Sequence, residues 1–342
     1  MQIALVTPAP PASRAGNRNT AVRWARLLRR LGHRVRICTE WHPATDDPGE
    51  ARAPADLMLA LHARRSHPSI MRFREVCPGR PLVLALTGTD LYRDIIDDPD
   101  AQQSLRVADS LVVLQRCAID ELPPALHART FVVHQSAPAV RRAPPLQRSF
   151  EVCVVGHLRE EKDPLLAARA LALLPAIQGR GLPLRVTQVG RALDPALERE
   201  ARLLMADDTR YRWLGEVTPG RARALIARSR AMVISSRMEG GANVVSEAIA
   251  AGTPVIASHI PGNLGLLGSD WPATFPVGDT PALAALLARI VAEPAFVERL
   301  RAAIRARAWI ADPAQEQAAL AMAIGAAVAS CAAGMPPAPA NR

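Results

Sequence analysis

Residues 235–258, SSRMEGGANVVSEAIAAGTPVIAS, constrain this chain more than any other stretch. The apolar run AMVI just ahead of them is too short for a helix and ends in polar residues, as a buried parallel strand does. From about Ala242, the residues Val244, Val245, Ala248 and Ile249 fall at helical spacing, Gly252 is a natural stop, and PVIA starts another strand. The spacing therefore predicts a βαβ unit. Its Gly-Gly-Ala-Asn turn lies at the carboxyl end of a strand and the amino end of a helix, where backbone N–H groups and the helix dipole favour an anion. Glu239 and Glu247 bracket that turn, and Gly240 and Gly241 allow a ligand to approach the backbone closely.

With 342 residues the chain is long enough for two domains of ordinary size. Hydrophobic residues make up 49%, ample for two cores, and no run in the sequence is expected to approach a membrane span. MQIALVTPAP has no basic segment before its apolar stretch, so it is expected to be a first strand and not a signal peptide. The five cysteines are odd in number, widely spaced and without a metal pattern, which fits a reducing cytoplasm. A net charge of +10 raises the question of nucleic acid, but the basic residues are dispersed and aromatics are only 4%, leaving few stacking platforms. Of the 42 basic residues only Lys162 is a lysine. Where every other cation is Arg, a solitary Lys suggests a position that needs a compact ammonium.

The first half predicts strands at 2–6, 34–39, 57–61, 82–86, 111–114 and 131–133, each short, apolar and followed by a polar turn, as in a parallel sheet. The loop TPAPPASRAGNRN precedes a helix predicted at 20–31, with Asn19 or Thr20 as cap and Val22, Leu27, Leu28 and Leu31 on its apolar side. His62, Arg64, Arg65, Thr87, Thr89, Asp90, Arg93 and His134 fall just after strands, the edge at which such sheets bind ligands. Arg14 and Arg18 in the first loop, with Arg64 and Arg65, form a candidate lining for an anionic ligand, since guanidinium binds phosphate in a bidentate fashion. The G-x-G-x-x-G pattern of a dinucleotide site is absent.

Residues 139–150, rich in Pro and Arg, are expected to link the two domains. The second half opens with a strand at 152–155 and the loop GHLREEKDP. It continues with alternating helices and strands and the Gly-rich IPGNLGLLG, expected to be a loop, and ends in helices predicted at 281–291, 294–308 and 315–328. The tail MPPAPANR is expected to be disordered.

The motif EGGANVVSE followed by AIAAGTPVIAS resembles the signature of retaining-type glycosyltransferases of the GT-B fold, family four in particular. That resemblance implies an α/β chain of two Rossmann-like domains facing across a cleft. Residues 1–138 would be the acceptor side and 151–330 the nucleotide-sugar side, the last helix crossing back, with 331–342 a flexible tail. It also implies roles for individual residues. Glu239, with the backbone of Gly240, Gly241, Ala242, Asn243 and Val244, would face the sugar and phosphates, and Glu247 the ribose. Gly156, Arg159 and Lys162 would bind the donor diphosphate. The family's loop carries an Arg directly after the glycine, and here His157 stands in its place. Either His157 is protonated there, or Arg159 takes over the charge, or the donor half is tuned for an unusual acceptor. His62 falls loosely where the wider family keeps an active-site His. Gly16, Asn17, Arg18, Arg64, Arg65, Thr89 and Asp90, with Arg14, would lie on the acceptor side. Lys162, His157, Glu239 and His62 are the catalytic candidates, and Trp213 to Glu216 is expected either to lie near a nucleotide base or to be core.

TPAPPASRAGNRNTAVRWARLL, LHARRS, LTGTDLYRD and GHLREEKDP together also resemble the selenosugar synthases of selenoneine biosynthesis, a group within that family. The implied substrates are a UDP-sugar, typically UDP-N-acetylglucosamine, and selenophosphate, with no metal or other cofactor. A GT-B enzyme with a sugar, lipid or thiol acceptor, a non-catalytic nucleotide-sugar-binding protein and a nucleic-acid-binding protein are the competing readings.

Overall fold

The computed structural model describes residues 1–12, 16–43, 55–140, 143–175 and 182–334. The chain divides into two compact units, Met1–Gln135 with Ala314–Arg342, and Ser136–Pro313.

The first unit runs β1 (Gln2–Val6), α1 (Gly16–Arg30), β2 (Arg34–Cys38), β3 (Leu57–Leu61), α2 (His67–Val76), β4 (Leu82–Ala85), the short α3 (Ile95–Asp97), α4 (Pro99–Val107), β5 (Ser110–Val113) and β6 (Thr130–Val132). Its sheet has the order β2-β1-β3-β4-β5-β6, with every pairing parallel. β3, β4 and β5 are buried along their whole length, which is why they appear in the sequence as unbroken apolar runs. One face packs Ile70, Phe73 and Leu105 of α2 and α4 against Met58, Leu82 and Leu84. The other packs Trp24, Leu27 and Leu28 of α1 together with Leu320, Ala323, Ile324 and Ala327 from the end of the chain.

In the second unit come β7 (Phe150–Val155), α5 (Leu166–Ala172), β8 (Leu184–Val189), α6 (Pro195–Asp207), β9 (Tyr211–Trp213), α7 (Pro219–Arg228), β10 (Ala231–Ile234), α8 (Asn243–Ala251), β11 (Val255–Ser258), α9 (Pro261–Leu267), β12 (Thr274–Phe275), α10 (Thr280–Ala292) and α11 (Pro294–Ala306). The final helix, α12 (Pro313–Gly334), lies almost wholly in the first unit. The second sheet, again all parallel, is ordered β12-β11-β10-β7-β8-β9. Counted within the unit this is the doubly wound Rossmann order, whose direction of winding reverses between β7 and β10. The first sheet has the related order of flavodoxin-like folds, reversing between β1 and β3.

Several sequence expectations are corrected. α1 starts at Gly16, so Thr20 is inside the helix and not its cap; its hydroxyl donates back to the Gly16 carbonyl at 3.0 Å. Val22 and Leu31 are exposed, and Trp24 takes the core position instead. IPGNLGLLG is mostly helix α9, opened by Pro261 at its first position. α12 continues to Gly334, so residues 331–334 of the expected tail are helical, and residues 335–342 fall outside those described. The expected linker ends where Phe150 starts β7, and Ser136–Val140 already belongs to the second unit; residues 141–142 are outside the described set. Contrary to the expectation that no run approaches a membrane span, Pro313–Ala333 is long and apolar enough by length and composition, with a mean hydropathy of 1.4. It nevertheless places Leu320, Ala323, Ile324 and Ala327 in the core of the first unit.

Glu316 anchors that helix. Its buried carboxylate accepts from Arg23 Nε at 2.9 Å and from the buried Trp24 indole N–H at 2.8 Å. Removing one member of a buried ion pair leaves the other uncompensated, at a cost of about 3 kcal/mol or more. Glu316→Ala is therefore expected to lower the free energy of unfolding by about that much, with Glu316→Gln intermediate, as chemical unfolding followed by Trp fluorescence will measure.

Candidate functional site

The reversal in the second sheet brings two loops together, one following β7 and the other following β10. The first contains Gly156, His157, Arg159 and Lys162. Gly156 N–H bonds the Val189 carbonyl at 3.0 Å and Leu158 N–H the Arg191 carbonyl at 2.9 Å, so the loop extends the sheet past the end of its strands. Gly190 takes a positive φ of 149°, and a Cβ there would lie 1.9 Å from the Gly156 carbonyl oxygen. Only a glycine lets the loop settle this close. A 3-10 turn, Glu160–Lys162, then carries the lysine, and Asp163 follows in the left-handed region.

Lys162 Nζ donates to Glu239 Oε1, so the only lysine of the chain and the first acid of the signature are ion-paired. Buried Ser236 donates its hydroxyl to the same Glu239 oxygen at 2.5 Å. Behind Ser236 stands a second layer: Ser258 Oγ bonds the Ser236 carbonyl, and Asn263 Nδ2 bonds the Ser258 carbonyl and hydroxyl at 3.0 Å each. Gly262 presses on the Glu239 backbone, where a Cβ would sit 1.9 Å from the carbonyl oxygen. From the other side, Ser235 Oγ holds the Asp163 carbonyl at 2.7 Å and the Arg237 amide holds the Glu161 carbonyl at 2.9 Å. The lysine loop and the glutamate loop are thus stitched together through backbone and side chain. Ser235 and Ser258 escaped the sequence reading because their hydroxyls hold carbonyls 72 and 22 residues away, and Ser236 and Asn263 because nothing in the order of residues marks their bonds to Glu239 and Ser258.

Among the described residues, α4, α6, α7 and α10 each have an Asp or Thr side chain accepting at the amino end. α8 has Ala242 at its cap, no side-chain cap and no acid in its first turn. Its amino end, with Gly240, Gly241, Asn243 and Val244, keeps the character of an anion site. Glu247, in the second turn, lies 3.7 Å from Arg223 Nη1. His157 accepts at Nδ1 from the Arg191 amide at 3.1 Å, so its ring carries its proton on Nε2. Burial lowers its pKa, and Arg159, Lys162 and Arg191 lower it further against the opposing pull of Glu216. The protonated alternative for His157 is therefore disfavoured, and the fixed charge falls to Lys162 and to Arg159, whose exposed side chain reaches Glu161 at 4.0 Å. Trp213 is half-buried and donates its indole N–H to the Gly190 carbonyl at 2.9 Å.

In the first unit, His62 follows β3 at the reversal of the sheet, is buried, and takes a positive φ of 78°. Its Nδ1 accepts from the Arg65 amide at 3.3 Å and its Nε2 lies 3.2 Å from the Thr89 hydroxyl. Asp90, expected on the acceptor side, is corrected: its fully buried carboxylate accepts from the backbone amides of Ala63, Thr87 and Gly88 at 3.1, 2.9 and 2.8 Å. These bonds hold two loops together and occupy the carboxylate with backbone amides. The acid that meets the arginines is Asp94, four residues on, which the sequence reading missed. Arg65 is exposed, Gly16, Asn17 and Arg18 form the first turn of α1, and Arg14 lies outside the described residues. Among the described residues no cluster of three or more His, Cys, Asp or Glu is placed to hold a metal.

Burial is the main cause that lowers the pKa of His62 from 6.5, with Arg65 and Arg64 adding to it and Asp90 and Asp94 opposing. The stabilisation from keeping it neutral is complete above pH 6.5 and is lost as pH falls towards the folded pKa, because the unfolded chain takes up the proton first. Thermal melts between about pH 7.5 and 5.5 should therefore show a falling midpoint. The variant His62→Asn, which tolerates the positive φ, is expected to show a shallower fall; an unchanged slope would contradict this assignment.

Residues 149–293 match the family model described as glycosyl transferases group 1. The glycogen synthase of Mycobacterium tuberculosis (strain CDC 1551 / Oshkosh) is 29% identical over 217 residues, covering 59% of this chain and 50% of that protein. The chain thus spans about half the length of this curated relative. Among solved structures, the Anabaena Alr3699/HepE protein in complex with UDP-glucose superposes with a TM-score of 0.73 at 15% identity, covering 95% of this chain and 99% of that one. Sucrose-phosphate synthase from Thermosynechococcus elongatus gives 0.70 at 19% identity, covering 90% and 94%. The family match covers part of the second unit, and the fold shared over nearly the whole chain is of the GT-B type.

Proposed function

We propose that this protein is a glycosyltransferase that moves N-acetylglucosamine or glucose from a UDP-sugar to selenophosphate. The product is a 1-selenosugar, released with UDP and phosphate. The observation that carries the donor side is the Lys162–Glu239 pair at the reversal of the second sheet, beside an uncapped helix amino end and inside the residues that match the family. In this reading Lys162 neutralises the charge growing on the departing UDP, the largest electrostatic demand of the reaction. The neutral His157 adds an N–H donor, Glu239 binds sugar hydroxyls and Glu247 the ribose. Selenium attacks the anomeric carbon as the bond from that carbon to the UDP oxygen breaks, and water then takes the phosphate from selenium. A selenium nucleophile needs no strong general base, and Lys162 supplies the cation that a metal provides elsewhere.

The acceptor side rests on the sequence resemblance and on the arginines beside His62. A second reading, a phosphorylated sugar as acceptor, is favoured by the likeness to a sucrose-phosphate synthase and draws on the same arginines. Incubation with UDP-N-acetylglucosamine, with and without fresh selenophosphate, followed by mass spectrometry, separates the two. A selenium-containing sugar only in the complete mixture is the expected result, and transfer only to sugar phosphates would replace the first reading by the second. Lys162→Ala is expected to lower kcat by about a hundredfold or more, as loss of one such charge stabiliser does, with the circular dichroism spectrum unchanged. Near-normal turnover would remove Lys162 from the mechanism.

A further inference from the structure

The first unit departs from regular backbone twice beside the carboxyl ends of β3 and β4. His62 takes its positive φ directly after β3, and Asp90–Asp94 forms a turn of π-helix soon after β4. Such departures persist where the surroundings hold them and cluster at functional sites. Here they converge on one carboxylate. Asp94 is buried, its Oδ2 accepts from Arg64 Nε at 3.0 Å, and its Oδ1 accepts from Arg93 Nε at 3.1 Å. Each guanidinium is thus held by its Nε edge, on a different oxygen of the same acid. The side chains of Arg64 and Arg93 remain 40% and 55% exposed. A structural ion pair needs one guanidinium for one carboxylate; here a single buried acid orders two.

We propose that Arg64 and Arg93, yoked by Asp94, form a binding site for a small tetrahedral oxyanion of the phosphate class. The two cations exceed the charge of Asp94, and planar guanidinium forks match phosphate oxygens in pairs. Thr89 stands at the rim, its hydroxyl 3.2 Å from His62 Nε2, so that with the imidazole proton supplied to its oxygen its own O–H is left to donate to an anion. Asp98, whose Oδ2 lies 4.0 Å from Arg64 Nε, and the exposed Arg65 complete the charged surroundings. The site deepens the acceptor side of the proposed function, since it selects the phosphate end of the acceptor and leaves the nucleophile unconstrained.

Calorimetric titration of the full chain with inorganic phosphate at constant ionic strength tests it. Arg64→Ala and Arg93→Ala are each expected to weaken binding roughly tenfold or more, the loss of a charge-assisted hydrogen bond. Arg64→Lys, which keeps the charge and removes the fork, is expected to weaken it as well. The deciding variant is Asp94→Asn. It makes the surface more positive by one charge, so a site that works by charge alone would bind phosphate more tightly, whereas the yoked site binds more weakly. Tighter binding in that variant, or unchanged binding in both alanine variants, overturns the proposal. UDP binding, read in the same titrations, reports that the second unit is intact. Arginine-dependent phosphate binding without any sugar transfer would keep this site and sink the proposed function. Transfer to selenophosphate with an unaltered KM in both alanine variants would do the reverse.

Discussion

All strands of each sheet run in the same direction, and most of what this protein can do follows from that constraint. Parallel strands send every strand end, and every following helix start, to one edge, so the backbone N–H groups of helix amino ends collect where the loops are. Reversal of the winding order then opens a gap between two neighbouring loops. In the second unit that gap falls between β7 and β10, and it is filled by Lys162 and Glu239. In the first it falls between β1 and β3, with His62 at its border.

Legibility in the sequence tracked burial. β1, β3 and β10 are legible to the residue because strands covered on both faces leave continuous apolar runs bounded by polar turns. The errors came where local chemistry and tertiary demand differ. Pro261, Gly262 and Gly265 look like a loop, yet Pro261 only opens α9, and Gly262 is required by contact with the Glu239 backbone. α12 ran longer than its apolar pattern because Ala and Gly continue a helix without adding periodicity. At the site, Lys162 stood out by being alone of its kind, and Glu239 by its motif. Asp90 and Asp94 sit in one short segment, DLYRD, and nothing in the order of residues says which faces the backbone and which the arginines. The π-turn makes that choice.

His157 shows how one substitution redistributes a site's charge. An Arg at that position would bring a fixed cation to the loop that follows β7. The imidazole there is tied through Nδ1 to the Arg191 amide and kept neutral by burial and by the neighbouring cations. Arg191, adjacent to Gly190, thus helps decide the protonation state of a residue it holds by its backbone. The loop therefore leaves its fixed charge to Lys162 and Arg159, and Lys162 is held at its carbonyl by Ser235 and at its ammonium by Glu239.

The Lys162–Glu239 pair has a further physical consequence. Glu239 is nearly buried, and a carboxylate in that position needs partners whether or not a ligand is present. Ser236 and Lys162 supply them on a single oxygen, Oε1, leaving Oε2 to accept from another donor. An ammonium has three N–H donors, so Lys162 keeps donors for a further partner while bonded to Glu239. A ligand oxygen meeting the pair on these terms would add hydrogen bonds without first breaking it. Such preorganisation, with the supporting shell of Ser258 and Asn263 behind it, is what lets a site stabilise developing charge without moving at the moment of reaction.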